Sequence, residues 1–113
     1  RIRDQLPRAI AMEVLLTGDR FDAATAERWG FVNKVVPLEQ LQEAALTYAR
    51  RISANAPLAL QASKELALRS REMSLADGFR MELFFNRMLQ ATEDFKEGSA
   101  SFAEKRNARF TST

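Results

Sequence analysis

Cysteine and histidine are both absent from the 113 residues. Without cysteine there is no disulfide framework, no thiolate nucleophile and no zinc–thiolate site. Without histidine the chain lacks the side chain that titrates near neutral pH and serves most often as general base or metal ligand. Glycine is sparse too: Gly18, Gly30, Gly78 and Gly98 stand far apart and cannot form a phosphate-cradling loop. No apolar run approaches the roughly 20 residues that a bilayer-spanning helix needs, so no membrane partner is expected. A strong charge of one sign is missing as well, since 17 basic and 15 acidic residues leave a net charge of +2. The cations are interleaved with Glu and Asp rather than gathered on one face, which argues against a nucleic-acid partner. Chemistry performed by these residues alone would have to rest on carboxylates and lysines.

With 46% hydrophobic and 28% charged residues, the chain has the apolar matter for a core. Its length is that of one domain or of a piece of a larger one. It opens at Arg1, and "RIRDQLPRAIAMEVLL" runs straight into an amphipathic pattern, which reads as a cut inside a longer protein. The missing signal peptide therefore says little about compartment, and the cytoplasm is the working expectation.

The spacing predicts helix almost throughout. A first helix spans about Pro7 to Leu16 and stops at "TGD". Asp22 caps a short helix through "AATAERW", which Gly30 closes in the left-handed region. "FVNKVV", β-branched and bounded by Gly30 and Pro37, reads as a short extended segment. Leu38, Leu41, Ala45, Tyr48 and Ile52 alternate three and four apart, which predicts one buried helical stripe. "NAP" at Asn55 to Pro57 ends that helix and opens the next. Ser74 with Asp77 resembles a capping box for a helix running to about Gln90. That helix carries two apolar stripes: Met81, Phe84, Phe85, Met88 and Leu89 on one side, Leu75, Phe79 and Leu83 on the other. Gripped from both sides, it suggests a neighbouring domain or subunit. Thr92 caps the last helix, with Glu93 and Asp94 at the positive end of its dipole.

Candidate acid–base pairs are Glu93 with Glu97, and Glu13 or Glu82 among apolar residues. The plainer reading is stronger, because Glu93 and Asp94 sit where helix-start acids belong and nothing near Glu97 would raise its pKa. Lys64 in "ALQASKEL" extends its stem along a helix and leaves the ammonium in water. The aromatics Trp29, Phe31, Phe79, Phe84 and Phe85 read as core. No catalytic residue and no metal ligand is assigned. In "FKEGSASFAEKR", from Phe95 to Arg106, the mid-helix Gly98 is costly, and Lys105 and Arg106 suit either a helix C-terminus or a bound anion.

Two stretches carry a resemblance: "AMEVLLTGDRFDAATAERWGFVNKVVP" (Ala11 to Pro37) and "TEDFKEGSASFAEKR" (Thr92 to Arg106). In this order, about 55 residues apart and with "NAPLALQASKELA" between them, they resemble the C-terminal part of the enoyl-CoA hydratase/isomerase family, the crotonase superfamily. The resemblance implies an all-α segment, the C-terminal helical trimerisation domain of a ββα-spiral fold whose spiral core lies outside this chain. Residues 1–37 would be the end of the core and a connector, and residues 38–113 the helical oligomerisation region.

The resemblance also implies that the parent is an enzyme, a hydratase that adds water to 2-enoyl-CoA thioesters. An oxyanion hole of two backbone N–H groups would hold the thioester carbonyl, and two upstream glutamates would activate the water. No cofactor is bound permanently; coenzyme A arrives as the thioester substrate. The chain alone would be inactive, and the parent a homo-oligomer, trimer or hexamer. By position in "SFAEKR", Phe102 and Lys105 match the family's apolar and cationic contacts to the adenine and phosphate end of coenzyme A. Lysine suits phosphate as a mobile point charge. Arg106 and Arg109 are left as dipole or surface charges, and Gly98 as a junction between two pieces of helix. Ser101, Ala108, Trp29 and Phe31 depart from the common pattern without touching a reacting group. Isomerase, dehalogenase and decarboxylase members share this C-terminal pattern, and a free-standing all-α interaction module is the alternative from another class.

Overall fold

The computed structural model describes residues 2–113, and among them all regular structure is helical. The helices are α1 (Arg8–Thr17), α2 (Ala23–Arg28), α3 (Leu41–Ser53), α4 (Pro57–Arg69), α5 (Leu75–Gln90) and α6 (Glu93–Glu104), with single 3-10 turns at Ile2–Asp4, Leu38–Gln40 and Ser70–Glu72. No helix is long and apolar enough to cross a membrane. Most start where a residue satisfies or dispenses with an orphan N–H. Asp22, Ser74 and Thr92 each accept from the backbone N–H three residues on, at 2.8, 3.1 and 3.2 Å. Pro57 occupies the first turn of α4, where its missing donor costs nothing.

The chain divides into two compact units, Arg1–Ala44 and Ala45–Thr113. In the first, Leu6, Ala11 and Ala26 are buried. Gly18 ends α1 at φ +68° and Gly30 follows α2 at φ +72°; Gly30 takes the left-handed role that the sequence predicts, and Gly18 does the same within the "TGD" stop of α1. Phe21 packs on Trp29 and Phe31 with ring centroids 5.0 and 6.0 Å apart, making a half-buried aromatic cluster beside α2. Residues 31–36 are a non-helical connector that joins no sheet, as the reading of "FVNKVV" as a short extended segment in an all-α chain allows. A lone extended segment has no ladder partner among the described residues. The Val35 N–H instead donates to the Glu27 carboxylate at 3.1 Å.

In the second unit α4 packs on α5, and α5 on α6. Met81, Phe85 and Leu89, four residues apart, are the half-buried face of α5, whereas Phe84 and Met88 are 62% and 53% exposed. The larger of the two predicted stripes is therefore split between a packed row and an open one. The second stripe, Leu75, Phe79 and Leu83, is open along its whole length.

The predicted stripe of Leu38, Leu41, Ala45, Tyr48 and Ile52 is helical from Leu41 on but not buried, since every one of these residues is exposed. Periodicity reports which face a helix would bury, and burial needs something to cover it. Uncovered apolar faces of this kind mark surfaces for other protein.

Candidate functional site

The most elaborated local structure is α6 with the residues after it. Thr92 caps the helix and also donates its hydroxyl to the Leu89 carbonyl at 2.7 Å. The helix runs unbroken through Gly98 to Glu104, so Gly98 is not the junction that the sequence suggests. A Cβ built on Gly98 would stand 3.7 Å from Cε1 of Phe110, an ordinary contact. The glycine sits where the returning chain lays an aromatic ring against the helix.

Lys105 ends α6 in the left-handed region, at φ 55° and ψ 38°. Its N–H bonds the Phe102 carbonyl at 3.3 Å and the Arg106 N–H reaches the Ser101 carbonyl at 3.1 Å, which together form a Schellman closure. Phe102, three residues earlier, is 87% exposed. The structure thus leaves Phe102 and Lys105, the two residues expected to meet coenzyme A, standing outward at the end of one helix.

Arg106 is neither a dipole charge nor a loose surface cation. It places two guanidinium nitrogens on the two oxygens of Glu97, at 2.6 and 2.8 Å, and a third on Glu104 at 2.5 Å. The Arg109 backbone N–H adds a bond of 2.7 Å to Glu97. The Arg106 fork, and then that N–H, hold the Glu97 carboxyl at a pKa of about 2, well below the usual range. Arg106 is in turn pushed up by Glu97 and Glu104. A carboxylate held in this way cannot take a proton near neutral pH, which removes Glu97 as a general base.

The other candidates fare no better. Glu93 is tied to Lys96 at 2.5 Å, and Glu13, Glu82 and Lys64 lie on exposed helix positions. Asp22 is lowered by the Thr25 N–H that it caps. Among the described residues no group of Asp and Glu could hold a metal ion.

Two depressions border α6. The larger, about 850 Å³, is walled by charged groups such as Glu93, Lys96, Glu97 and Arg106 that already satisfy one another. The smaller, about 640 Å³, is an apolar groove built from the start of α4 (Ala56, Leu58), the end of α5 (Leu89), and Phe95, Phe102 and Phe110. Phe102 stands in this groove; Lys105 is not part of its wall. Sequence reasoning missed Asp94, Arg106 and Phe110 as a set, because their partners lie 9 to 18 positions away and no local spacing encodes such a return.

A family model described as "Enoyl-CoA hydratase/isomerase" matches residues 1–113. A "probable enoyl-CoA hydratase" of Rhizobium meliloti (strain 1021) is 44% identical over 110 residues, covering 97% of this chain and 43% of that protein. The (E)-benzylidenesuccinyl-CoA hydratase of Thauera aromatica is 39% identical over 105 residues, covering 93% and 41%. The crystal structure of an enoyl-CoA hydratase from Mycobacterium tuberculosis H37Rv superposes with a TM-score of 0.93 at 37% identity, over 100% of this chain and 45% of that one. The chain spans less than half the length of the relatives it matches.

Proposed function

Because the chain belongs to the enoyl-CoA hydratase/isomerase family, we propose that the protein carrying it is an enoyl-CoA hydratase that adds water across the double bond of 2-enoyl-CoA thioesters. The names of its relatives support the thioester substrate and the hydration. The reacting groups lie outside these 113 residues. Supporting this, Asp22 is a helix cap, Glu93 and Glu97 belong to ion pairs, and Glu13 and Glu82 lie on exposed helix positions.

The contribution of this chain is to hold the non-reacting end of the substrate and to join subunits. One observation carries the first role: a lysine occupies the left-handed position that ends α6, beside an aromatic ring that nothing in this chain covers. Glycine takes that backbone conformation more readily, by about 1 kcal/mol, so the lysine side chain has a use there. A mobile ammonium next to an exposed ring suits the phosphate and adenine of coenzyme A, with no permanently bound cofactor.

The second role rests on the open apolar rows of α3 and α5, which fit a homo-oligomer, trimer or hexamer. In domain terms, residues 1–37 end the catalytic core and residues 38–113 form the oligomerisation region. The location that goes with this reading is the cytoplasm, which cell fractionation checks.

The test is hydration of a short 2-enoyl-CoA, followed by loss of the enoyl-thioester absorbance. The full-length protein should turn over and the purified 113-residue chain should not. In the full-length protein Lys105→Ala should raise KM by an amount worth about 1 to 2 kcal/mol, with kcat little changed. A fall in kcat at constant KM would remove Lys105 from the coenzyme A site.

A further inference from the structure

Asp94 and Glu97 stand three residues apart, with Gly98 next, so the three share one face of α6. The chain beyond Arg106 returns along that face. At its near end Glu97 takes the Arg106 fork and the Arg109 N–H. At its far end the successive N–H groups of Thr111 and Ser112 donate to the two oxygens of Asp94, at 2.6 and 3.0 Å. The Asp94 N–H completes the ring by donating to the Thr113 carbonyl at 3.1 Å. Two adjacent N–H groups converging on one carboxylate is how backbone captures an anion, here one supplied by the same chain. Asp94 is 3% exposed, and Ser112 is held in the left-handed region at φ +66°. A non-glycine residue stays in that region only where its surroundings over-determine it.

Between the two anchors lies Phe110, its ring against Gly98 and its face in the apolar groove with Phe102 and Phe95. We propose that Asp94 and Glu97 are positioning residues: they strap residues 107–113 onto α6 and thereby set Phe110 as the wall of the groove in which Phe102 meets the adenine end of the thioester. This rests on the coenzyme A reading above for the ligand, while the strap stands on its own geometry. The strap recognises backbone N–H groups, so Phe110 is held in place whatever side chains surround it. At Gly98 the ring lies at ordinary contact distance from the helix, and it shares the groove with Phe102.

The experiment joins amide hydrogen exchange at Thr111 and Ser112 to steady-state kinetics with a short 2-enoyl-CoA, in the full-length protein. Asp94→Asn keeps the shape but replaces one acceptor oxygen with an NH2 group. Exchange at both amides should quicken about tenfold or more. KM should rise about threefold or more while kcat stays within about twofold. Phe110→Ala should reproduce the KM rise, and Phe110→Tyr should restore the parent value. If Asp94→Asn does not fold, Glu97→Gln loosens the Arg109 end and is read by exchange at that amide and by KM. Unchanged exchange overturns the strap. Faster exchange with an unchanged KM overturns the link from strap to groove. Should Lys105→Ala and Phe102→Ala both leave KM unmoved, the coenzyme A reading fails and the groove's ligand with it, while exchange still decides the strap.

Discussion

Helices α3 and α6 are both amphipathic, and they differ in how far this chain completes them. Helix α6 has a hydroxyl cap at its start, a Schellman closure at its end, and a return strap that satisfies its buried carboxylate. Helix α3 aligns Leu41, Ala45, Tyr48 and Ile52 on one face, and all four are exposed. Arg51 lies 5.9 Å over the Tyr48 ring, and the Leu41 and Ile52 side chains beside it are each 54% exposed. The difference teaches that a helical stripe is a statement about a surface, whereas a satisfied network is a statement about a structure. The α6 segment contains its own partners, and the α3 stripe has none covering it in this chain.

A charge on the α3 stripe should have the largest effect. In the homo-oligomer proposed above, Ile52→Asp in the full-length protein should destabilise by about 3 to 5 kcal/mol and break up the assembly, because the new carboxylate would be buried there without a partner. Sedimentation and thermal melts check this, and a variant that melts and sediments like the parent would mean that the α3 face stays open to water. On α6, Asp94→Ala should cost about 2 to 4 kcal/mol in chemical denaturation, since it strands the N–H groups of Thr111 and Ser112. A cost below about 0.5 kcal/mol would put Asp94 on a par with ordinary surface positions and undo the contrast with α3.

Gly98→Ala should be neutral or stabilise by up to about 1 kcal/mol, because α6 is continuous there and a methyl group meets Phe110 at an ordinary 3.7 Å. Marked destabilisation would show that the ring cannot tolerate even that contact.

The smallest effect is in acid. Glu97 is lowered in the folded state from the ordinary 4.5 to about 2, so its contribution is complete above pH 4.5 and is lost as pH falls toward 2. The groups facing it are the Arg106 guanidinium and the Arg109 backbone N–H, with Glu104 sharing Arg106, and Arg106, pushed up by both carboxylates, stays charged throughout that window. Exchange at the Arg109 amide should therefore be flat from pH 7 to 5 after correction for intrinsic rates, and quicken below pH 4.5. Glu97→Gln should abolish that acid step.

Much of the helical plan was legible because its signals are local. The caps at Asp22, Ser74 and Thr92 act over three residues, and Pro57, Gly18 and Gly30 act through their own backbone angles. Connector residues 31–36 are legible as a non-helical segment between Gly30 and Pro37, while strand propensity says nothing about whether a second strand exists to pair with them. Of the candidate site, Phe102 and Lys105 were legible through their place in "SFAEKR". The Asp94 and Glu97 anchors were not, since carboxylates in a first turn or at an i, i+4 spacing look the same whether or not a strap returns to them.

By itself, then, the sequence determined where helices begin and end, which chemistry is impossible without cysteine or histidine, and which family the chain belongs to. These follow from contacts within a few residues or from the order of short motifs. Only the tertiary structure decided that Met81, Phe85 and Leu89 pack while Phe84 and Met88 do not, that Arg106 is spent on Glu97, and that Phe110 reaches the groove of Phe102. The physical reason is common to all three: burial and ion pairing depend on groups distant in the chain, and only the folded backbone brings them within reach.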